Sequence, residues 1–193
     1  MMAERWKIDV DESLIGVNDA KFILEHAEKK LKDTLDNAGS VASKNTMLIT
    51  LLSGLVIGIT SYIFGKWSNP EFTGERMIVA ILALASFFSI TLYALKNFLP
   101  TAYFVSGAEP KKLLATDFYT KESKKDDKVL LYLYLSEIEN YQHRIESNEE
   151  VNNMRWARFR NSVYATILTP VVLLLMQYIL YTISHLVPFH SAF

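Results

Sequence analysis

Arg155, Arg158 and Arg160 fall within six residues of one another, with Trp156 and Phe159 among them and no acidic residue after Glu150. Asn148 and Asn152 precede them at helical spacing, and Tyr141 lies a further two turns upstream. Guanidinium forks match phosphate oxygens, and aromatic rings stack on bases. Arg155, Arg158, Arg160, Asn148, Asn152, Trp156 and Tyr141 therefore form a candidate site for a nucleotide or a short single-stranded oligonucleotide. A second reading stays open beside it. The arginines would equally anchor a helix at lipid headgroups, and the asparagines would equally fix register inside a helical assembly.

Other chemistry finds little support. The chain has no cysteine, which removes disulfides and thiolate ligands. His26, His143, His185 and His190 form no pair at metal-ligand spacing, and the seven glycines are too scattered for a phosphate-cradling loop. Glu137/Glu139 and Glu149/Glu150 read as helix-surface charges. The expectation is a protein that is not an enzyme, with no catalytic residue, no metal and no cofactor.

A different chemistry is suggested by hydroxyls in an uncharged run. Thr46, Thr50, Ser53 and Thr60 share one helix face, beside a second face of Gly54, Gly58, Ser61 and Gly65. Small residues at this spacing let helices approach closely, and the hydroxyl face would line a water-filled path. Thr166, Gln177, Tyr181 and Ser184 give a later run a loosely polar side. A path of this kind needs several copies of the chain, at least a tetramer. No ionisable group interrupts the apolar runs, which argues against a coupled pump.

The elements that carry these residues follow from where charge is missing. Of 193 residues, 50% are hydrophobic, yet residues 45–65, 77–95 and 161–193 contain no Asp, Glu, Lys or Arg. A bilayer core of ~30 Å takes about 20 residues at ~1.5 Å each. The fold class expected is an all-α membrane protein with three transmembrane helices and cytoplasmic helical extensions. Its parts are a cytoplasmic N-terminal helix (1–44), a transmembrane hairpin (45–98), a cytoplasmic helical module (99–160), and a third transmembrane helix with an external tail (161–193). Pro170 should kink the third span, with Thr166 placed to satisfy the freed carbonyl. Seven Lys/Arg precede the first span and eleven lie in 96–160, against two in the hairpin loop and none after Arg160. The positive-inside rule then puts the N-terminus in the cytoplasm and the C-terminus outside. The N-terminus is too charged for a secretory signal and is read as retained.

The flanking segments read as helices. Asn18-Asp19 is a cap signal, and Ala20, Leu24, Ala27, Leu31, Leu35, Ala38 and Ala42 make one apolar stripe. Glu25–Lys29, Lys29–Asp33 and Glu28–Lys32 are i,i+4 charge pairs on the opposite side, and Gly39-Ser40 is a joint before the first span. Breaks are expected at Pro100, Gly107 and Pro110, a short helix at Lys111–Leu114, and a solvated loop over 120–128. From Val129 to Arg160 nothing stops a helix. Its seam of Leu131, Tyr134, Ile138, Tyr141 and Ile145 turns polar at Asn148, Asn152 and Arg155. The stripe and the seam are the surfaces expected to hold a homo-oligomer together.

In arrangement, residues 20–185 resemble the small membrane effectors of bacterial antiphage systems, the SLATT-type and the Pycsar- and Hailong-type effectors. The likeness rests on Ala27-Glu28-Lys29-Lys30-Leu31 leading into a hairpin through Ser43-Lys44-Asn45. It continues in a cytoplasmic helix with Asn148, Asn152-Asn153, Arg155 and Arg158-Phe159-Arg160. The third span and the lack of an appended nucleotide-sensing domain depart from that pattern. The resemblance implies an oligomeric, ion-conducting pore in the bacterial inner membrane. It also implies control by a nucleotide signal from a nucleotidyltransferase or cyclase encoded nearby. The competing class is a non-conducting membrane scaffold that docks a cytoplasmic partner.

Overall fold

The computed structural model describes residues 6–9, 14–67, 74–99, 102–105 and 127–186, and among them every regular element is helical. Helix α1 spans Val17–Lys66, α2 spans Gly74–Leu95 with a 3₁₀ turn over Lys96–Phe98, and α3 spans Asp127–Leu186. All three are long and apolar enough to cross a membrane. In the apolar windows of α1 and α2 only 17% of residues are buried within the chain, and in that of α3 none is. The apolar surface of these windows is thus left for lipid or other chains to cover.

Two compact units emerge, residues 1–40 with 100–154 and residues 41–99 with 155–193. Each unit thus joins parts of the chain that are distant in sequence. The short helix expected at 111–114, the loop over 120–126, the breaks at Pro100, Gly107 and Pro110, and the tail from 187 onward lie outside the described residues.

Local sequence explains the helix ends, with one shift. The cap of α1 is Gly16, not Asn18-Asp19: Ala20 N–H donates to Gly16 O at 3.0 Å. Asp19, in the first turn, accepts from Gly16 N–H at 3.1 Å. Helix α1 runs unbroken through Gly39-Ser40, and the division between the two compact units falls there, at Ser40. Pro170 sits inside α3, but Thr166 does not bond the carbonyl that Pro170 frees. That carbonyl is Thr166's own, four residues back, and the Thr166 hydroxyl donates to Ser162 O at 2.8 Å.

In the first unit the apolar stripe of α1 meets the seam of α3. Ala20 packs with Leu135 and Ile138, and Leu31 with Tyr141 and Ile145; Leu24 and Ala27 fill in beside them. The surfaces expected to join copies of the chain are therefore covered within one chain. The stripe also departs from the apolar reading. After Leu31 the buried positions are Thr34, Ala38, Val41 and Asn45, not Leu35 and Ala42. The i,i+4 charge pairs of α1 are not closed, and Lys30 instead meets Glu149 at 3.0 Å across the two helices.

In the second unit Leu48, Leu52 and Phe87 form the core, with Val56, Phe159 and Val163 against it. Hydroxyls along the helices donate to carbonyls one turn back, as in Thr46 to Ala42, Thr60 to Val56, Ser89 to Ala85 and Thr169 to Ala165. Each is thereby satisfied inside its own helix, which an apolar surround demands.

Candidate functional site

The seven residues singled out for ligand binding divide between the units. Tyr141, Asn148 and Asn152 belong to the first; Arg155, Trp156, Arg158 and Arg160 belong to the second.

Tyr141 is 4% exposed and sits in the α1–α3 core, with the Arg144 guanidinium 5.4 Å above its ring. Asn148 is fully buried, and its hydrogen bonds are made inside the chain. Its amide donates to Thr34 Oγ1 at 3.1 Å and to Phe104 O at 2.9 Å, while its oxygen accepts from Phe104 N–H at 3.0 Å. Asn152 donates to Thr34 O at 2.8 Å and accepts from the Tyr103 hydroxyl at 3.0 Å. An asparagine amide has one acceptor and one donor edge, so it can pair with a backbone peptide as a strand would. Asn148 does this with Phe104. The asparagines thus dock residues 102–105 and Thr34 onto α3.

Arg155 is engaged in a comparable way in the second unit. Its guanidinium donates to Asn97 O through Nε at 3.1 Å and also through Nη2. In return Asn97 Nδ2 lies 3.4 Å from Arg155 O and 3.3 Å from Asn45 Oδ1. Asn45 Nδ2 then donates to Ala94 O at 3.1 Å. This chain of amides closes the last turn of α2, whose terminal carbonyls lack helical partners. As a contact Asn45 and Asn97 escape the sequence reading, where Asn45 enters only within Ser43-Lys44-Asn45; an amide at each border of the charge-free hairpin is the signal that could have found them. Among the described residues Asn97 Oδ1 is a buried acceptor left without a hydrogen bond.

Removing this clamp should be measurable. Arg155→Ala strands Asn97 O, and we expect a loss of about 1–3 kcal/mol in unfolding free energy. Arg155→Lys keeps the charge but not the fork and should recover only part of it. Arg158→Ala, on the same helix, should stay within ~0.5 kcal/mol of the parent. Thermal unfolding in one detergent compares the three; equal stability of all would remove the clamp.

What remains for a ligand is a collar of cations. In the second unit Lys44, Lys96, Arg155, Arg158 and Arg160 stand where the apolar runs begin or end, and the unit's acidic residues, Glu71 and Glu75, belong to the hairpin end. Trp156 is held edge-on to Phe159 at 5.7 Å between centroids, with Lys44 Nζ 4.6 Å over its ring. Arg160 is exposed and Arg158 half-buried, and among the described residues neither guanidinium has a carboxylate partner. This border of the apolar unit therefore carries five basic side chains and no acidic one of the same unit. Along α1, Thr46 and Thr50 are exposed and Ser53 and Thr60 half-buried. Their neighbours Gly54, Gly58 and Gly65 are exposed, and a Cβ added at each meets nothing within 4 Å. No group of metal-ligating side chains occurs among the described residues.

Fold and site together define an all-helical chain with three helices of membrane-crossing length and a basic collar at one end of the apolar unit. No protein-family model, curated protein or solved structure matches it.

Proposed function

We propose that this protein is an oligomeric membrane effector whose ion-conducting pore is controlled by an anionic nucleotide or oligonucleotide at the cytoplasmic collar. The observation that carries the reading is the collar: Lys44, Lys96, Arg155, Arg158 and Arg160 without an acidic residue at that end of the unit. Such a cluster attracts phosphates, and repetition around an oligomer axis multiplies the field. Support for self-association comes from the uncovered first span. Its glycine face and hydroxyl face adjoin, so Gly54, Ser61 and Gly65 pack against a neighbouring copy while Thr46, Thr50, Ser53 and Thr60 face the lumen. Their hydroxyl protons are directed to their own helix where Thr46, Thr50 and Thr60 are concerned. The oxygens keep lone pairs free to face water or a cation. By its resemblance to antiphage effectors the protein acts in defence, with a neighbouring nucleotidyltransferase or cyclase supplying the signal.

Within this reading the ligand contacts are Arg158, Arg160 and Trp156, with Tyr141, Asn148 and Asn152 holding the cytoplasmic unit together and Arg155 contributing charge from within its clamp. Ion flux from liposomes loaded with the purified protein tests the pore, with and without short single-stranded oligonucleotides. Binding should weaken with salt, with a log–log slope of ~0.7 per phosphate engaged. Arg158→Ala with Arg160→Ala should reduce that slope by about 1.4 for two lost contacts. Flux with no oligonucleotide response leaves a pore without this control. No flux under any condition favours the scaffold class, and binding insensitive to salt removes the collar from the site.

A further inference from the structure

A cleft of about 370 Å³ opens where all three helices of the second unit approach the hairpin end. Gly58 and Tyr62 of α1, Arg76, Ala80 and Ala83 of α2, and Gln177 of α3 border it. The void exists because Gly58, Ala80 and Ala83 bring so little side chain; a Cβ at Gly58 meets nothing within 4 Å. Gly58 and Tyr62 lie one turn apart, on a different side of α1 from Thr46, Thr50, Ser53 and Thr60.

We infer that this cleft is a binding site for one acyl chain of an anionic phospholipid, whose phosphate rests on Arg76. The inference rests on the membrane reading of these helices but not on the pore or on the collar. Empty apolar space forfeits dispersion contacts and is filled where a filler is at hand. Water is a poor filler here, because each molecule needs two to four polar partners and most of the wall is aliphatic. At this depth the abundant apolar molecule is lipid. The length fits: Arg76 to Ala83 is about 10 Å along α2 at ~1.5 Å per residue, two-thirds of the ~15 Å hydrocarbon thickness of one leaflet. The polar border fits as well. A guanidinium forks onto phosphate oxygens, and among the described residues Arg76 has no carboxylate partner. The Gln177 amide, half-buried on α3, stands where it can bond the ester linkage of the same lipid. Few polar groups around an apolar hollow is the ordinary build of a ligand site.

The test is native mass spectrometry of the full chain released from nanodiscs of equal phosphatidylglycerol and phosphatidylcholine. The wild-type chain should retain phosphatidylglycerol over phosphatidylcholine by about fivefold, the preference one basic residue confers near a headgroup. Arg76→Gln should bring that ratio to about one while lipid is still retained. Gly58→Leu fills the cleft and should remove the retained lipid; Ala80→Leu does the same from the other wall, and circular dichroism reports whether each variant keeps its helix content. Equal retention of the two lipids by the wild-type chain overturns the inference. So does selectivity that survives Arg76→Gln, or lipid that survives both filled variants in folded protein. Because lipid retention is read apart from ion flux, a failure here is distinguishable from a failure of the proposed pore.

Discussion

Ile138→Lys should unfold the first unit instead of merely dissolving an assembly. Ile138 is 6% exposed and packed with Ala20 and Leu135, with Leu131 and Tyr134 beside it. A lysine there must either strand its ammonium among aliphatic groups or part α1 from α3 to reach water. An unpaired charge in such a place costs about 3–5 kcal/mol, a large share of the 5–15 kcal/mol that holds an ordinary domain. Ile138→Ala removes the same packing without the charge and should cost about 2–4 kcal/mol. Hydrogen exchange over 131–145 discriminates the outcomes. Loss of protection there, deeper for Lys than for Ala, is the expected result. Protection at the wild-type level in Ile138→Lys would mean that the seam is not a core, and would return it to the role of an interface between copies.

That difference exposes where the sequence was legible. Charge-free runs announced the three apolar helices, because a bilayer imposes length and composition so strongly that few alternatives survive. Helical spacing along α3 was also legible through its polar half: Asn148 and Asn152 are buried, Arg155 half-buried, just where the seam of Leu131 to Ile145 extends. Along α1 the expected stripe holds at Ala20, Leu31 and Ala38 and misses at Leu35 and Ala42. An apolar criterion steps over Thr34 and Asn45 and so takes Leu35; it also takes Ala42 where its apolar neighbour Val41 is the buried residue. The buried positions are Thr34 and Asn45 because each has a hydrogen-bonding partner far away in sequence, at Asn148 and at Ala94. Periodicity cannot see such a partner. The same blindness let Tyr141 and the asparagines be grouped with the arginines: a face shared along one helix says nothing about what already covers it.

Asn148→Ala carries the second large effect, and it bears on how the first unit is joined. One side chain here serves three groups: the Thr34 hydroxyl, the Phe104 carbonyl and the Phe104 N–H. Truncation leaves those groups without it at a position that is itself fully buried. Each buried group so stranded costs about 1–3 kcal/mol, and relief at the more exposed Phe104 brings the expected total to about 3 kcal/mol. Asn148→Asp separates shape from chemistry. Its oxygens would still accept from Phe104 N–H but would face the Phe104 carbonyl with no proton to give, so it should restore little. Asn152→Ala should be milder, since the Tyr103 hydroxyl can turn elsewhere and Thr34 O keeps its helical donor. The sharpest reading is exchange at the Phe104 amide itself, compared with the amides of the α1–α3 core. In Asn148→Ala that amide should exchange freely while the α1–α3 core from Ala20 to Ile145 stays protected. Asn148 is then what holds Phe104, beside the bonds of Asn152 to Tyr103 and of Arg144 to Val105. If instead the whole core loses protection together, the asparagine fixes the register of both helices.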